Sequence, residues 1–245
     1  MRAGLALALL LVLWQGVIVM AALPPFLLPG PGAVAGALWR SRADLLAAGL
    51  RTGAEILAGF GLGAVLGCLV ALLIASGPRF GAALRPILLI SQTIPIFALA
   101  PILTLWLGYG IAPKIAVTVL ITFFPVTSAF LDGLERTPAA YLDLARVMGA
   151  SRGRIMARVR VPAALPALGT GLTIAAVYAP VGAVIGEWVG GSDGLGALMI
   201  HANGRMRTDL VFACLAVVTG MALAFHALVS RLVAARFARY GPAQP

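Results

Sequence analysis

Charge is what this chain has least of. Of its 245 residues only 11% are Asp, Glu, Lys or Arg, and 8 are acidic, against about 25% charged in an ordinary soluble domain. So few charges exclude a water-facing surface of normal kind, and 61% apolar content with a mean hydropathy of +1.03 fits lipid as the solvent. Cysteine is nearly missing as well. Cys68 and Cys214 stand singly inside apolar stretches, which excludes a disulfide framework or a thiolate cluster and leaves two small buried hydrophobes. The chain lacks G-x-x-x-x-G-K-[ST], so it does not hydrolyse ATP through a phosphate loop. It also lacks strand-like alternation, and in lipid a chain without barrel strands must be helical.

Long apolar runs are what the chain has instead. A hydrocarbon core about 30 Å thick needs roughly 20 apolar residues in a helix, and six stretches qualify: 5–23, 56–75, 86–107, 115–131, 163–186 and 210–234. The reading is an all-α, polytopic membrane protein with six transmembrane helices in a single domain, 1–245. A net charge of +10 would suggest nucleic acid in a soluble protein. Here the arginines fall between apolar spans, no soluble domain exists to present them, and no nucleic-acid partner is expected.

The first stretch has the length of a retained signal-anchor, with a cleaved signal peptide as the alternative. If it is retained, both termini share one side. On that side lie Arg2, Arg79, Arg85, Arg136, Arg146, Arg152, Arg154, Arg158, Arg160, Arg231, Arg236 and Arg239, and on the other Arg40, Arg42, Arg51, Lys114, Arg205 and Arg207. Positive loops stay inside, so both termini are expected in the cytoplasm and the protein in the cell inner membrane.

Between the first two spans a Pro- and Gly-rich segment gives way to an expected external amphipathic helix over 33–50, with Val34, Leu38, Leu45 and Leu46 apolar. Gly59, Gly61, Gly63 and Gly67 form a small-residue face suited to close helix packing. Pro95, Pro101, Pro125 and Pro180 each remove a helical hydrogen bond. No ionisable residue stands clearly mid-span, which disfavours a self-contained proton-coupled carrier. Ser91, Gln92 and Thr93 beside Pro95 are the most polar cluster within a span, and Tyr178 beside Pro180 is a second polar element. These residues, with Glu187, are the candidate substrate pathway, helix-to-helix hydrogen bonding being the alternative. Glu187 and Trp188 end the fifth span, where a structural role also fits. His201, Asn203, Arg205 and Arg207 face outside on a segment suited to receive a soluble protein, a plain re-entrant or interfacial segment being the alternative.

The densest basic region is "YLDLARVMGASRGRIMARVRVPAALP" (141–166). Thr137 and Pro138 start a helix on which Tyr141, Leu142, Ala145 and Met148 share a face while Asp143 and Arg146 point elsewhere. Gly149 ends it, Ser151 caps a second short helix striped by Ile155, Met156 and Val159, and Pro162 closes that one. Physically, this basic knob over about 137–162 suits anionic membrane lipid or a protein partner equally.

The same stretch resembles the cytoplasmic signature loop of ABC importer membrane subunits. Asp143 stands where that family has glutamate, Leu144 and Ala145 where it has an alanine pair, Gly149 at its glycine, and Pro162 and Pro166 at its closing prolines. "SQTIPIFALAPILTLWLGYG", "FFPVTSAFLDGL" and "GEWVGGSDGLGALMIHANGRMRTDLVFACL" are similar to the branch serving nitrate, taurine, aliphatic sulfonates and thiamine-precursor pyrimidines. The resemblance implies a type I importer permease fold and a coupling loop of Tyr141, Leu142, Asp143, Leu144, Ala145, Arg146, Gly149, Ala150, Ser151 and Ile155, seated on an ABC ATPase subunit. It implies a pair of ATPase subunits that hold the ATP and Mg, with no cofactor on this chain. It further implies a substrate-binding protein and a second permease copy, most simply as a homodimer. The substrate it points to is a hydroxymethylpyrimidine-type thiamine precursor, with taurine, sulfonate or nitrate as alternatives. An ATP-independent carrier or channel is the different class left open.

Overall fold

The computed structural model describes residues 2–237, which fold into eleven α-helices and one π-helical turn. Met1 and residues 238–245, including the Arg239 counted above, lie outside the described residues. In chain order the helices are α1 (Arg2–Met20), α2 (Pro31–Arg40), α3 (Arg42–Ser76), α4 (Pro78–Thr93), α5 (Ile96–Leu107) and α6 (Ile111–Glu135). After them come α7 (Ala139–Val147), α8 (Arg152–Ile155), the π turn (Met156–Arg160), α9 (Val161–Gly190), α10 (Leu195–Gly204) and α11 (Thr208–Phe237).

Four of these are long and apolar enough to cross a membrane: α3, α6, α11 and the unbroken helical run Arg152–Gly190 that contains α9. The expected first span is α1, apolar along its length. The expected third span, 86–107, is a pair of helices bent by 102° between Thr93 and Ile96, a fifth crossing if the pair is one broken span. Proline explains the break. Ile94 precedes Pro95 and is held in extended backbone, φ −81° and ψ 119°, because a pre-proline residue is pushed out of the helical region. Pro101, Pro125 and Pro180, in contrast, sit inside helices that continue through them.

The expected amphipathic helix over 33–50 is corrected. It is two helices, α2 and the first turns of α3, separated at Ser41, and α3 then runs on for 35 residues, about 52 Å at 1.5 Å per residue. Val34 and Leu45 are buried as expected, but Leu46 is exposed.

At the centre α6 is held between α3 and α9 by glycines. A Cβ on Gly59 or Gly63 would overlap Thr118 or Thr122 of α6, and one on Gly67 would lie 2.7 Å from the Phe123 carbonyl. On the α9 side, Gly171, Gly182 and Gly186 meet the Pro125 carbonyl, Thr118 Cα and Lys114 Cα at 2.7–2.8 Å in the same sense. Gly61 points into open space, so the small-residue face is Gly59, Gly63 and Gly67 at a spacing of four. Thr118, Thr122 and Thr127 are fully buried. Their hydroxyls donate to carbonyls four residues back at 2.8–2.9 Å, which satisfies them without leaving the helix. Ala71, Ile74, Val126, Phe130, Leu134, Ala164 and Leu168 complete the core toward the α7–α8 end.

Gly63→Leu drives a side chain into Thr122 and should cost about 1–3 kcal/mol of stability. We expect a lower unfolding temperature in detergent, followed by intrinsic fluorescence, whereas Gly61→Leu, facing open space, leaves it unchanged.

Candidate functional site

The α7–α8 corner projects from one end of the bundle, and no residue of α7 or α8 is buried. Gly149 has φ +75°, the left-handed conformation that favours glycine, and the N–H groups of Gly149 and Ala150 return to the Arg146 and Ala145 carbonyls, closing α7. Ser151 caps α8, its hydroxyl accepting from the Arg154 N–H at 3.4 Å. Thr137 differs from expectation. Its hydroxyl donates to the Leu134 carbonyl at 3.1 Å and so closes α6, while Pro138 occupies the position before α7. Pro162 does not close the second helix either: the chain passes from α8 through the π turn directly into α9.

The apolar ridge is rotated from the expected face. Leu142 and Ala145 are half-buried. Tyr141, Leu144, Val147 and Met148 face out, Val147 and Met148 at 87% and 77% exposure. Those four lie at i, i+3, i+6 and i+7, one continuous stripe, and Leu144 and Val147 are the members that the expected face left out. Asp143 and Arg146 pair across the rim at 2.5 Å, a surface ion pair that adds little to stability. Arg136, Arg152, Arg154 and Arg158 are exposed.

Ser91, Gln92 and Tyr178 meet in one open-sided cavity of about 670 Å³ between the α4–α5 break, α6 and α9, joined there by Ser128, Asp132, Phe123 and Phe124. Thr93 and Glu187 are not brought to it. Ser91 donates to its own helix at the Leu88 carbonyl, 2.7 Å, while Gln92 is exposed. Among the described residues that line this cavity there is no arginine or lysine.

The opposite end of the bundle buries three ionisable residues that lie at the edges of the expected spans rather than mid-span. Glu55 of α3, Lys114 of α6 and Glu187 of α9 are 2%, 4% and 0% exposed. The Lys114 ammonium donates to Glu55 Oε1 at 3.0 Å and to the Asp193 carbonyl at 2.8 Å. Glu187 accepts from the Thr52 hydroxyl at 2.6 Å and from the Gly196 N–H at 2.5 Å. Thr52 in turn accepts from the Leu195 N–H at 2.9 Å, and Arg51 pairs with Asp193 at 2.5 Å. The α9–α10 connection is thereby stitched to three helices. Each of Glu55, Lys114 and Glu187 lies one residue outside an expected span, the one signal that could have found them. Lys114 also leaves the count of free positive loop residues on its side. Among the described residues, no group of three or more His, Cys, Asp or Glu is placed to hold a metal ion.

Residues 63–239 match the family model described as "Binding-protein-dependent transport system inner membrane component". Over 223 residues, covering 91% of each chain, the sequence is 48% identical to a "Probable ABC transporter permease protein" of Haemophilus influenzae. Over 178 residues, 71% of this chain and 70% of the relative, it is 42% identical to the "Formylaminopyrimidine transport permease protein ThiX" of Halalkalibacterium halodurans. The fold is similar to a chain of the inward-facing MetNI methionine ABC transporter, with a TM-score of 0.70 at 21% identity over 80% of this chain and 97% of that one.

Lys114→Met leaves the Glu55 carboxylate buried without its cation, and breaking such a pair costs about 3–5 kcal/mol. We expect a large loss of thermal stability in detergent, and a smaller one in Glu55→Gln/Lys114→Met, which removes both charges.

Proposed function

The chain belongs to the binding-protein-dependent transport system inner membrane component family, and from that membership we propose that it works as a homodimer passing a small heteroaromatic solute inward. It is a multi-pass inner-membrane permease subunit of an ABC importer, a transporter component and not an enzyme. The solute we favour is a hydroxymethylpyrimidine-type thiamine precursor. One observation carries this choice. The cavity at the α4–α5 break offers aromatic faces from Tyr178, Phe123 and Phe124, amide and hydroxyl groups from Gln92, Ser91 and Ser128, one carboxylate from Asp132, and no cationic side chain. Such a lining suits a neutral or protonated ring with exocyclic donors. The sulfonate group of taurine or an aliphatic sulfonate, and nitrate, would find no cationic side chain in this lining. The formylaminopyrimidine permease among the relatives supports the same choice.

Both termini face the cytoplasm in this reading, and the stripe Tyr141, Leu144, Val147 and Met148, rimmed by arginines, seats on an ATPase subunit. Two ATPase subunits hold ATP and Mg, one beneath each permease copy. Their closure favours the state in which the cavities open outward, a population shift driven by differential binding of the two states. A binding protein delivers the solute at the end where His201, Asn203, Arg205 and Arg207 are exposed. Membrane lipid meets the apolar outer faces of the bundle.

The test is uptake into proteoliposomes holding the permease, its ATPase and its binding protein. Radiolabelled hydroxymethylpyrimidine should enter only with ATP, and unlabelled taurine or nitrate in excess should not compete. Competition by either compound would overturn the substrate choice. Gly149→Trp forces a non-glycine residue into the left-handed region, at about 1–2 kcal/mol. It also sets a large side chain beside the stripe. We expect uptake to be abolished with the chain still in the membrane, and normal uptake by that variant would refute the docking assignment. Gln92→Leu should lower the transport rate and leave dimer assembly intact, as read by size-exclusion chromatography with light scattering.

A further inference from the structure

Arg160 is set apart from the other arginines of the loop by where its guanidinium lies. Pro162 has no N–H to return to the preceding turn, and its ring crowds the carbonyl four residues back. The chain answers with the π turn at Met156–Arg160, in which the Val161 N–H reaches back to the Met156 carbonyl. A π turn holds one residue more than an α turn, and the extra residue turns Arg160 by about 100° around the helix axis. Its side chain is half-buried and directed into the bundle. Nε donates to the Leu134 carbonyl at 3.0 Å, and Nη1 donates to the Ala75 carbonyl at 3.1 Å.

Those two acceptors terminate different helices. Leu134 is in the last turn of α6 and Ala75 in the last turn of α3. Carbonyls at a helix C-terminus lack intrahelical partners and carry the negative end of the helix dipole. One cationic fork therefore closes two helix ends at once. The Leu134 carbonyl also accepts from the Thr137 hydroxyl, at the start of the strap that leads to α7. Leu134 is fully buried, so this junction lies inside the bundle and not on the face that would meet a partner.

We propose that Arg160 is the positioning residue that carries displacement of the α7–α8 loop into the ends of α3 and α6. The proposal rests on the reading that this loop docks an ATPase. Guanidinium is the group for the task, because its planar array of donors reaches two acceptors in a fixed relation and a lysine ammonium does not. A lipid anchor or a docking contact would keep these donors outward, whereas two of them are spent on internal carbonyls. When the loop moves, the fork moves with it, and both helix ends must follow or lose a charge-assisted hydrogen bond.

The experiment uses the whole importer in proteoliposomes and reads two quantities for Arg160→Ala and Arg160→Lys: ATPase subunit retained per permease, and solute taken up per ATP hydrolysed. We expect retention at the wild-type level in both variants. Uptake per ATP should fall about tenfold in Arg160→Ala, within the 5–150-fold range of ordinary coupling energies, with Arg160→Lys intermediate. Unchanged uptake per ATP in Arg160→Ala overturns the proposal. Loss of ATPase retention alongside uptake overturns it too, since that marks a docking contact. If Arg160→Ala does not accumulate in the membrane, Arg160→Lys decides by the same ratio, and a wild-type value there refutes the role. Failure of the importer reading itself would show earlier, as wild-type vesicles with no ATP-dependent uptake.

Discussion

The backbone of α6 approaches α3 and α9 more closely than any side chain larger than hydrogen allows. In lipid no hydrophobic force draws helices together, so association depends on close van der Waals contact and on what small residues permit. Glycines on both neighbours supply that contact, and threonines on α6 fill the seams while bonding to their own helix. Everything functional is placed by this three-helix unit. The cavity opens between α6, α9 and the α4–α5 break, the α7–α8 corner hangs from one end of α6 and α9, and the buried charges close the other.

Those buried charges answer a problem the glycines create. Helices packed so closely leave these groups to find most of their partners within the protein, although Glu55 Oε2 is left without one. Lys114 is shared between Glu55 and the Asp193 carbonyl, and Glu187 closes onto Thr52 and the start of α10. Ion pairs of this kind are weak evidence for stability. Their effect here is geometric, since each bond names a unique partner and so fixes the register of three helices and one connection.

How much of this was legible in the sequence follows from what each signal measures. Gly149 and Ser151 announced the corner because their roles are local: a left-handed residue and a cap depend on near neighbours alone. Four of the six spans emerged as single long helices because hydropathy reports exposure to lipid. The same measure failed at span edges, where Glu55, Lys114 and Glu187 read as interfacial although partners far along the chain bury them. It also failed for the stripe on α7, since which of Leu142 and Leu144 is the more exposed depends on how the short helix is set at the corner, not on hydropathy. Arg160 was counted only as one of the arginines on the side of the termini for a related reason. Its direction follows from a π turn, and nothing in a helical-wheel count foresees an inserted residue. Of the candidate pathway residues, Ser91, Gln92 and Tyr178 converged because a proline break and a facing helix were both visible as local features.

The helical run Arg152–Gly190 is 39 residues long, about 58 Å at 1.5 Å per residue. It begins at the α7–α8 corner and reaches, near its far end, the carboxylate of Glu187 that holds α10. Seated on α6 by Gly171, Gly182 and Gly186, this one helix is the longest single span of backbone joining the two ends of the molecule, so a displacement entering at the corner has one covalent and hydrogen-bonded route to the α10 connection.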